Sequence, residues 1–211
     1  MGLLDKIVDV LFSIFDYEGE LPENKNKSKE EIRKEYYQKG KDFEEYVVNL
    51  FDRRNYFTLV DWTRDLDING IRPESNKNPD IIMRYNPTKE KIAIECKYRS
   101  SYYTSKTTHK QIVYTDKKHK IDRYKEYQKT EKIPTFLVIG VGGTPKDPKY
   151  LYCIPINKIK YEEMFLSVLN EYMRAPGKNF FWDSKKKMLK WVQITSYFLC
   201  FLMLVYILTV A

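Results

Sequence analysis

The residues best suited to chemistry lie in one stretch, residues 79–97, PDIIMRYNPTKEKIAIECK. Side chains alternate along a strand, so Ile92, Ile94 and Cys96 face one way while Ala93, Glu95 and Lys97 face the other. Glu95 and Lys97 therefore present a carboxylate and an ammonium side by side. Asp80 opens the preceding strand and can reach the same end of a sheet. Two carboxylates and a backbone carbonyl suit Mg²⁺, a hard cation that takes oxygen ligands and keeps several waters. A cation held there activates water and offsets charge on a phosphoryl group, and Lys97 can orient the nucleophile or steady the pentavalent state. The same residues also have an ordinary reading, since E-x-K is a common polar face of a half-exposed sheet and Asn78-Pro79-Asp80 is turn chemistry. Against it, the flanking runs DIIM and IAIEC are apolar enough for an interior strand, where a charged pair needs partners.

A third carboxylate is Glu44, which in GKDFEEYVVNLF shares a helix face with Val47, Val48 and Phe51, while Glu45 turns toward Asn49 and Asp52. Glu44 is the acid directed inward, able to orient a water or a metal ligand. On a helix surface it would instead pair with the neighbouring Lys41, and both roles stand.

These residues need elements to place them. Ser28 followed by Glu31 resembles a capping box, opening a helix that runs to Gly40 and resumes through Arg54. YFTLVDW (56–62) reads as a strand, followed by a polar loop up to Pro79. Two strands, Asp80–Tyr85 and Lys91–Tyr98, are joined by the turn residues Asn86-Pro87-Thr88. A helix follows over roughly 117–131, then PTFLVIGV (134–141), whose unbroken apolar run fits a strand covered on both faces. LYCIPI (151–156) is a further strand, and YEEMFLSVLNEYM (161–173) has helical period. Strand, helix and buried strand in that order predict a crossover in an α/β layer fold.

With these elements the sequence resembles the PD-(D/E)xK nuclease superfamily, in its Mrr-like and archaeal Holliday-junction-resolvase-like restriction endonuclease branch. Gly40-Lys41-Asp42-Phe43-Glu44 matches the family's GxxFE helix, and Asn78-Pro79-Asp80 and Glu95-Cys96-Lys97 follow in the family's order. The resemblance implies an α/β restriction-endonuclease-like core, a central mixed sheet flanked by helices, over residues 28–188. It implies that Asp80, Glu95 and the backbone carbonyl of Cys96 bind Mg²⁺ or Mn²⁺, that Lys97 is the catalytic lysine and that Glu44 is the helix acid. The activity implied is hydrolysis of DNA phosphodiesters, in duplex or branched DNA, with no small-molecule cofactor; a homodimer is compatible and restriction of foreign DNA is the context by analogy. Family members often carry Gln and Tyr one turn apart on the helix after the E-x-K strand. Here Tyr124 is kept and Lys120 replaces the Gln.

Residues 99–133 hold ten Lys or Arg against four acids, interleaved with tyrosines. Arg99, Lys106, Lys110, Lys117, Lys118, Lys120 and Arg123 are candidate phosphate contacts, and Tyr124 a candidate for stacking or phosphate bonding. A solvated helix face gives a similar charge run. Other motifs fail: Gly140-Val141-Gly142-Gly143 lacks the Gly-Lys-Ser/Thr of a P-loop and reads as a turn, and His109 and His119 have no ligands at zinc spacing. No G-x-S-x-G elbow occurs.

Both ends depart from the middle. Residues 1–17 contain an amphipathic helix (Leu4, Ile7, Val8, Leu11, Ile14 and Phe15 against Asp5, Asp9 and Asp16), followed by a polar linker over 18–27. Residues 192–211 carry no charge, and at ~1.5 Å per residue span about 30 Å, the thickness of a bilayer's hydrocarbon. Lys185, Lys186, Lys187, Lys190 and Trp191 precede them, as expected of a C-terminal transmembrane helix over 191–211 with a cytoplasmic body. The competing readings are a buried helix there, and for the whole chain a catalytically inactive nucleic-acid- or lipid-binding protein of the same fold. The net charge of +8 and a hydrophobic share of 43% allow a packed, polyanion-seeking domain. Three widely spaced cysteines argue against a disulfide scaffold and a cysteine zinc finger, and fit a reducing compartment.

Overall fold

The computed structural model describes residues 28–63 and 78–191. The expected N-terminal amphipathic helix, the linker and the C-terminal membrane span lie outside the described residues, apart from Trp191. Among the described residues no helix is long and apolar enough to cross a membrane. By packing, the chain divides into a unit ending at Gln38 and one running from Lys39; the sheet and its layers belong to the second.

Helix α1 (Lys29–Asn49) opens with the expected capping box: Ser28 Oγ accepts from Glu31 N at 3.3 Å, and Glu31 Oε2 accepts from Ser28 N at 2.7 Å. It neither breaks at Gly40 nor reaches Arg54. Asp52 ends it, because its Oδ1 accepts from the backbone N–H of Arg54 and Asn55 and fixes a turn.

The central sheet runs β1 (Phe57–Trp62), β2 (Ile81–Tyr85), β3 (Lys91–Arg99), β6 (Thr135–Thr144), β7 (Asp147–Pro155) and β9 (Met173–Arg174). Neighbours pair antiparallel except β3 and β6, which pair parallel from Ala93↔Thr135 to Arg99↔Val141. The parallel pair needs a crossover, supplied by β4 (Tyr103–Thr104), β5 (Gln111–Tyr114) and helix α2 (Lys118–Glu131). One face of the sheet packs Ile92, Ile94, Phe136 and Val138 against Phe43 and Val47 of α1 and Phe51 just after it, together with Trp182 and Leu189 from the hairpin β10 (Phe180–Asp183) and β11 (Met188–Trp191). The other face packs Leu137, Ile139 and Ile154 against Ile121 and Tyr124 of α2. The result is the expected mixed α/β architecture, with β6 covered on both sides.

Two expectations fail. The segment 161–173 is not one helix. It forms β8 (Glu163–Phe165), a single turn α3 (Leu166–Leu169), a 3₁₀ turn and β9, because Phe165, Met164 and Glu163 pair with Ile112, Val113 and Tyr114 of β5. That pairing is made across the chain and overrides a local 3.6-residue period. The run Gly140–Gly143 is likewise not a turn but part of β6. Gly140 lets the Phe43 ring press against the strand, since a Cβ there would stand 2.4 Å from Phe43 Cε2. Gly143, at φ +66, lies against Asp147 O, and the chain reverses after Thr144.

Candidate active site

The site lies where β2 and β3 part. Their last pair is Ile81↔Ile94, so β3 runs on past the start of β2 with an open edge. Asp80 closes that edge: its Oδ2 accepts from the Cys96 backbone N–H at 2.8 Å. In a ladder one residue's N–H and C=O face the same neighbour, which places the Cys96 carbonyl on the same edge as the Asp80 carboxylate. The strand alternation sends Glu95 and Lys97 to the α2 side, and Lys97 Nζ donates to Glu95 Oε1 at 2.6 Å.

Glu44 arrives from the opposite side of the sheet, and a single irregularity in β1 explains how it is held. Leu59 pairs with Met83 and Asp61 with Ile82, leaving Val60 as an extra residue. Side chains alternate, so one inserted residue exchanges the faces of all that follow. The bulge therefore carries Trp62, rather than Asp61, onto the α1 face, where its Nε1 donates to Glu44 Oε2 at 2.7 Å. Lys41 Nζ donates to both Glu44 oxygens, at 3.0 and 3.1 Å. Glu44 is thus both the inward acid and the Lys41 partner, the two roles open in the sequence.

Lys97 has a further partner that the sequence did not single out. Asp116, buried between β5 and α2, places Oδ2 3.2 Å from Lys97 Nζ and Oδ1 3.7 Å from Lys120 Nζ, and accepts from Lys117 N–H at 2.8 Å. On the same helix, the buried Tyr124 hydroxyl donates to Glu95 Oε1 at 2.6 Å. Asp116 carries no local signature, since an acid just before a helix ordinarily reads as a cap; its position at the exit of an apolar strand was the available clue. Trp62 was hidden by the bulge.

The electrostatics follow. Burial pushes the Asp80 carboxyl well above the usual range, and the Glu95 and Glu44 charges add to it against Lys97. Glu44 is also raised, first by burial, with Trp62 and Lys41 opposing. Burial works to depress Lys97, but Asp116, Glu95, Tyr124 and Asp80 together hold it well above an ordinary lysine. Burial works to raise Asp116, yet Lys97 and Lys120 bring it below the usual range. Lys120 is lowered by burial and by the Lys97 charge. Asp80, Glu95, Lys97 and Glu44 form one interacting set with a surplus of negative charge on the Asp80 side. Among the described residues no group of three or more His, Cys, Asp or Glu side chains is arranged to hold a metal ion. The available donors are the two carboxylates Asp80 and Glu95 with the Cys96 carbonyl.

The candidate phosphate contacts separate into two sets. Lys106, Lys110 and Lys118 are exposed, Lys118 paired with Asp122. The others turn inward. Arg99 donates to the carbonyls of Tyr98, Tyr114 and Thr115 at 3.0–3.2 Å, tying β3 to the end of β5. Lys117 is half-buried before α2, Lys120 faces Asp116, and Arg123 lies over the Tyr124 ring at 5.1 Å. Tyr124 is 2% exposed and belongs to the buried network, out of reach of a strand on the surface.

No family model matches the sequence, and no curated protein matches it. Among solved structures, that of Hjc, a Holliday junction resolvase from the archaeal hyperthermophile Archaeoglobus fulgidus, is similar to 63% of this chain and 88% of its own, at 15% identity and a TM-score of 0.40.

Proposed function

We propose that this chain is a metal-dependent endonuclease of restriction-endonuclease-like fold that hydrolyses DNA phosphodiesters. The observation that carries the reading is the Asp80 carboxylate seated on the Cys96 N–H, between Glu95 and Lys97 on the open edge of β3. A divalent cation fits these residues because Asp80, Glu95 and Glu44 repel one another in a buried place, and a cation relieves that repulsion. Asp80, Glu95 and the Cys96 carbonyl would hold Mg²⁺ or Mn²⁺, which when bound supplies Lewis acidity to a phosphoryl oxygen and a more acidic water. Lys97, kept charged by Asp116 and Glu95, sets a fixed positive charge beside the position of the phosphate. Tyr124 holds the Glu95 carboxylate in place, and Trp62 and Lys41 orient Glu44 toward the same edge.

The test is cleavage of plasmid, linear duplex and four-way junction DNA by the full chain with Mg²⁺ or Mn²⁺, beside Asp80→Ala and Lys97→Ala. The expected result is cutting by the parent and loss of about 10²-fold or more in each variant, the scale of removing one such electrostatic group. Equal cutting by all three, or none by the parent on any DNA, overturns the reading in favour of an inactive binding protein. The proposal extends to residues 192–211 as a single-pass anchor with the nuclease domain on the cytoplasmic side, and to restriction of foreign DNA. Its supports are the uncharged twenty-residue run and the lysines before it. Carbonate extraction should leave the protein with the membrane pellet; release into the supernatant refutes the anchor.

A further inference from the structure

Beside the crossover, on the α2 face of the sheet, lies a cleft of about 500 Å³. Its apolar wall is made by Tyr102, Tyr150 and Tyr152, with Val141 behind them. The Tyr102 and Tyr150 rings meet at 5.5 Å between centroids, and the Tyr102 and Tyr152 hydroxyls bond each other. Burial raises both of those phenols, which stay neutral. Lys149 Nζ stands 5.5 Å from the Tyr150 ring centroid. Gln111 and Asn170 line other parts of the cleft, and among the described residues no acid lines it. Aromatic walls, neutral donors and acceptors, and one cation suit a flat, polar-edged ring attached to phosphate.

The cleft is also placed relative to the catalytic set. Its lining residue Ser100 follows β3 directly, three residues beyond Lys97. At ~3.3 Å per residue of strand the two lie about 10 Å apart along the chain, at most about three nucleotides, since even a fully stacked strand advances ~3.4 Å per step and an unstacked one advances more. Glu95 and Lys97 point to the same face of the sheet as Val141, Tyr150 and Tyr152, since Lys97 pairs with Ile139 and Ile139 with Tyr152. The exposed Lys110 precedes Gln111 in the chain, leaving a basic approach.

From this we infer that the tyrosine cleft receives an unpaired nucleobase of the DNA strand, within about three nucleotides of the phosphate at Lys97. This deepens the nuclease reading and rests on it for the nature of the ring. A base stacked there gives the site a preference for splayed, frayed or branched DNA over continuous duplex, because only an unstacked base can enter.

The experiment uses the full chain in EDTA, where no cutting interferes. The probes are a single-stranded decamer with one central 2-aminopurine, the same decamer with an abasic site, and free 2-aminopurine deoxyriboside monophosphate. The expected result is quenching of the decamer's 2-aminopurine on binding, with affinity reduced at least fivefold in Tyr150→Leu and retained in Tyr150→Phe, in line with the scale of base–aromatic stacking. Ser101→Trp, which fills the mouth of the cleft from an exposed position and leaves the core untouched, should reduce affinity equally. Undiminished quenching in both Tyr150→Leu and Ser101→Trp, or equal binding of the abasic decamer, overturns the proposal. Binding of the free nucleotide without the decamer overturns its assignment to a strand. Parallel plasmid cleavage in Mg²⁺ separates the two ideas: cutting without quenching removes the cleft and leaves the nuclease, while variant-sensitive quenching without cutting leaves the cleft and removes the nuclease.

Discussion

Replacing Asp116 by Asn removes the charge of the buried acid that faces Lys97 at 3.2 Å and Lys120 at 3.7 Å. Breaking a buried pair costs about 3–5 kcal/mol when the remaining charge is left uncompensated. Lys97 is not left so, because Glu95 stays 2.6 Å from its Nζ. The Asn side chain also keeps an oxygen for the Lys117 N–H. The expected loss is therefore smaller, about 2–3 kcal/mol, which for a domain of this size lowers Tm by roughly 4–12 °C. Calorimetric melts at pH 7 of the parent, Asp116→Asn, Lys97→Met and the double variant form a cycle, and residues in contact should couple by at least about 1 kcal/mol. The pH dependence fixes the sign. Despite burial, Lys97 and Lys120 hold the Asp116 carboxyl below its ordinary range. Its contribution is thus full above the unfolded value near pH ~3.9 and disappears as pH falls through the depressed folded value. The difference between parent and variant should persist at pH 5 and close only in stronger acid. A variant melting within about 1 °C of the parent at pH 7, or a coupling below about 0.3 kcal/mol, refutes the assignment of Asp116 as the partner of Lys97.

Other outcomes can be read with the same protein. Asp80→Asn should stabilise the metal-free chain above neutral pH, because the raised Asp80 carboxyl makes folding less favourable as pH climbs through its folded value; a destabilised variant at pH 8 contradicts this. For the same reason Mg²⁺ affinity by titration calorimetry should rise from pH 5.5 to 8, as fewer protons must be displaced, and an affinity independent of pH excludes ligation by Asp80. Gly140→Ala should cost about 1–3 kcal/mol by overpacking against Phe43, with part recovered in the Phe43→Leu background. Deleting Val60 should remove the bulge while leaving Asp61 opposite Ile82 and Trp62 opposite Ile81, so Trp62 stays on the α1 face and its emission should change less than in Glu44→Gln; an emission typical of a solvent-exposed indole contradicts this.

Much of the site was legible because strand alternation is a local rule. The apolar runs around Asp80 and Glu95 form β2 and β3, and the two-face reading of Glu95 and Lys97 holds along β3. Glu44 was legible from helical spacing alone, and the run at 134–141 lies within the doubly covered β6. What escaped depends on partners far along the chain. Nothing near Tyr161–Met173 announces that Glu163–Phe165 will pair with β5, so a helical period over one turn was extended too far. Val60 is an ordinary strand residue in sequence, and only its pairing with β2 reveals it as the insertion that turns Trp62 inward. The hairpin of Phe180–Asp183 with Met188–Trp191 alternates well enough to be seen, with Phe180 and Trp182 buried and Phe181 exposed, yet it was masked by the basic run between its strands.

The parallel pairing of β3 with β6 also sets an order in time. The residues from Asp80 to Lys97 leave the ribosome before α2 and β6 do. Asp116 and Tyr124, which hold Lys97 and Glu95, sit on the crossover between the two strands. That crossover is closed only when β6 docks, roughly forty residues later, or roughly 2–8 s at ~5–20 residues per second. A half-made chain therefore contains the acids and the lysine without the arrangement that makes them useful. The topology acts as a clock, completing the site only once most of the sheet is in place.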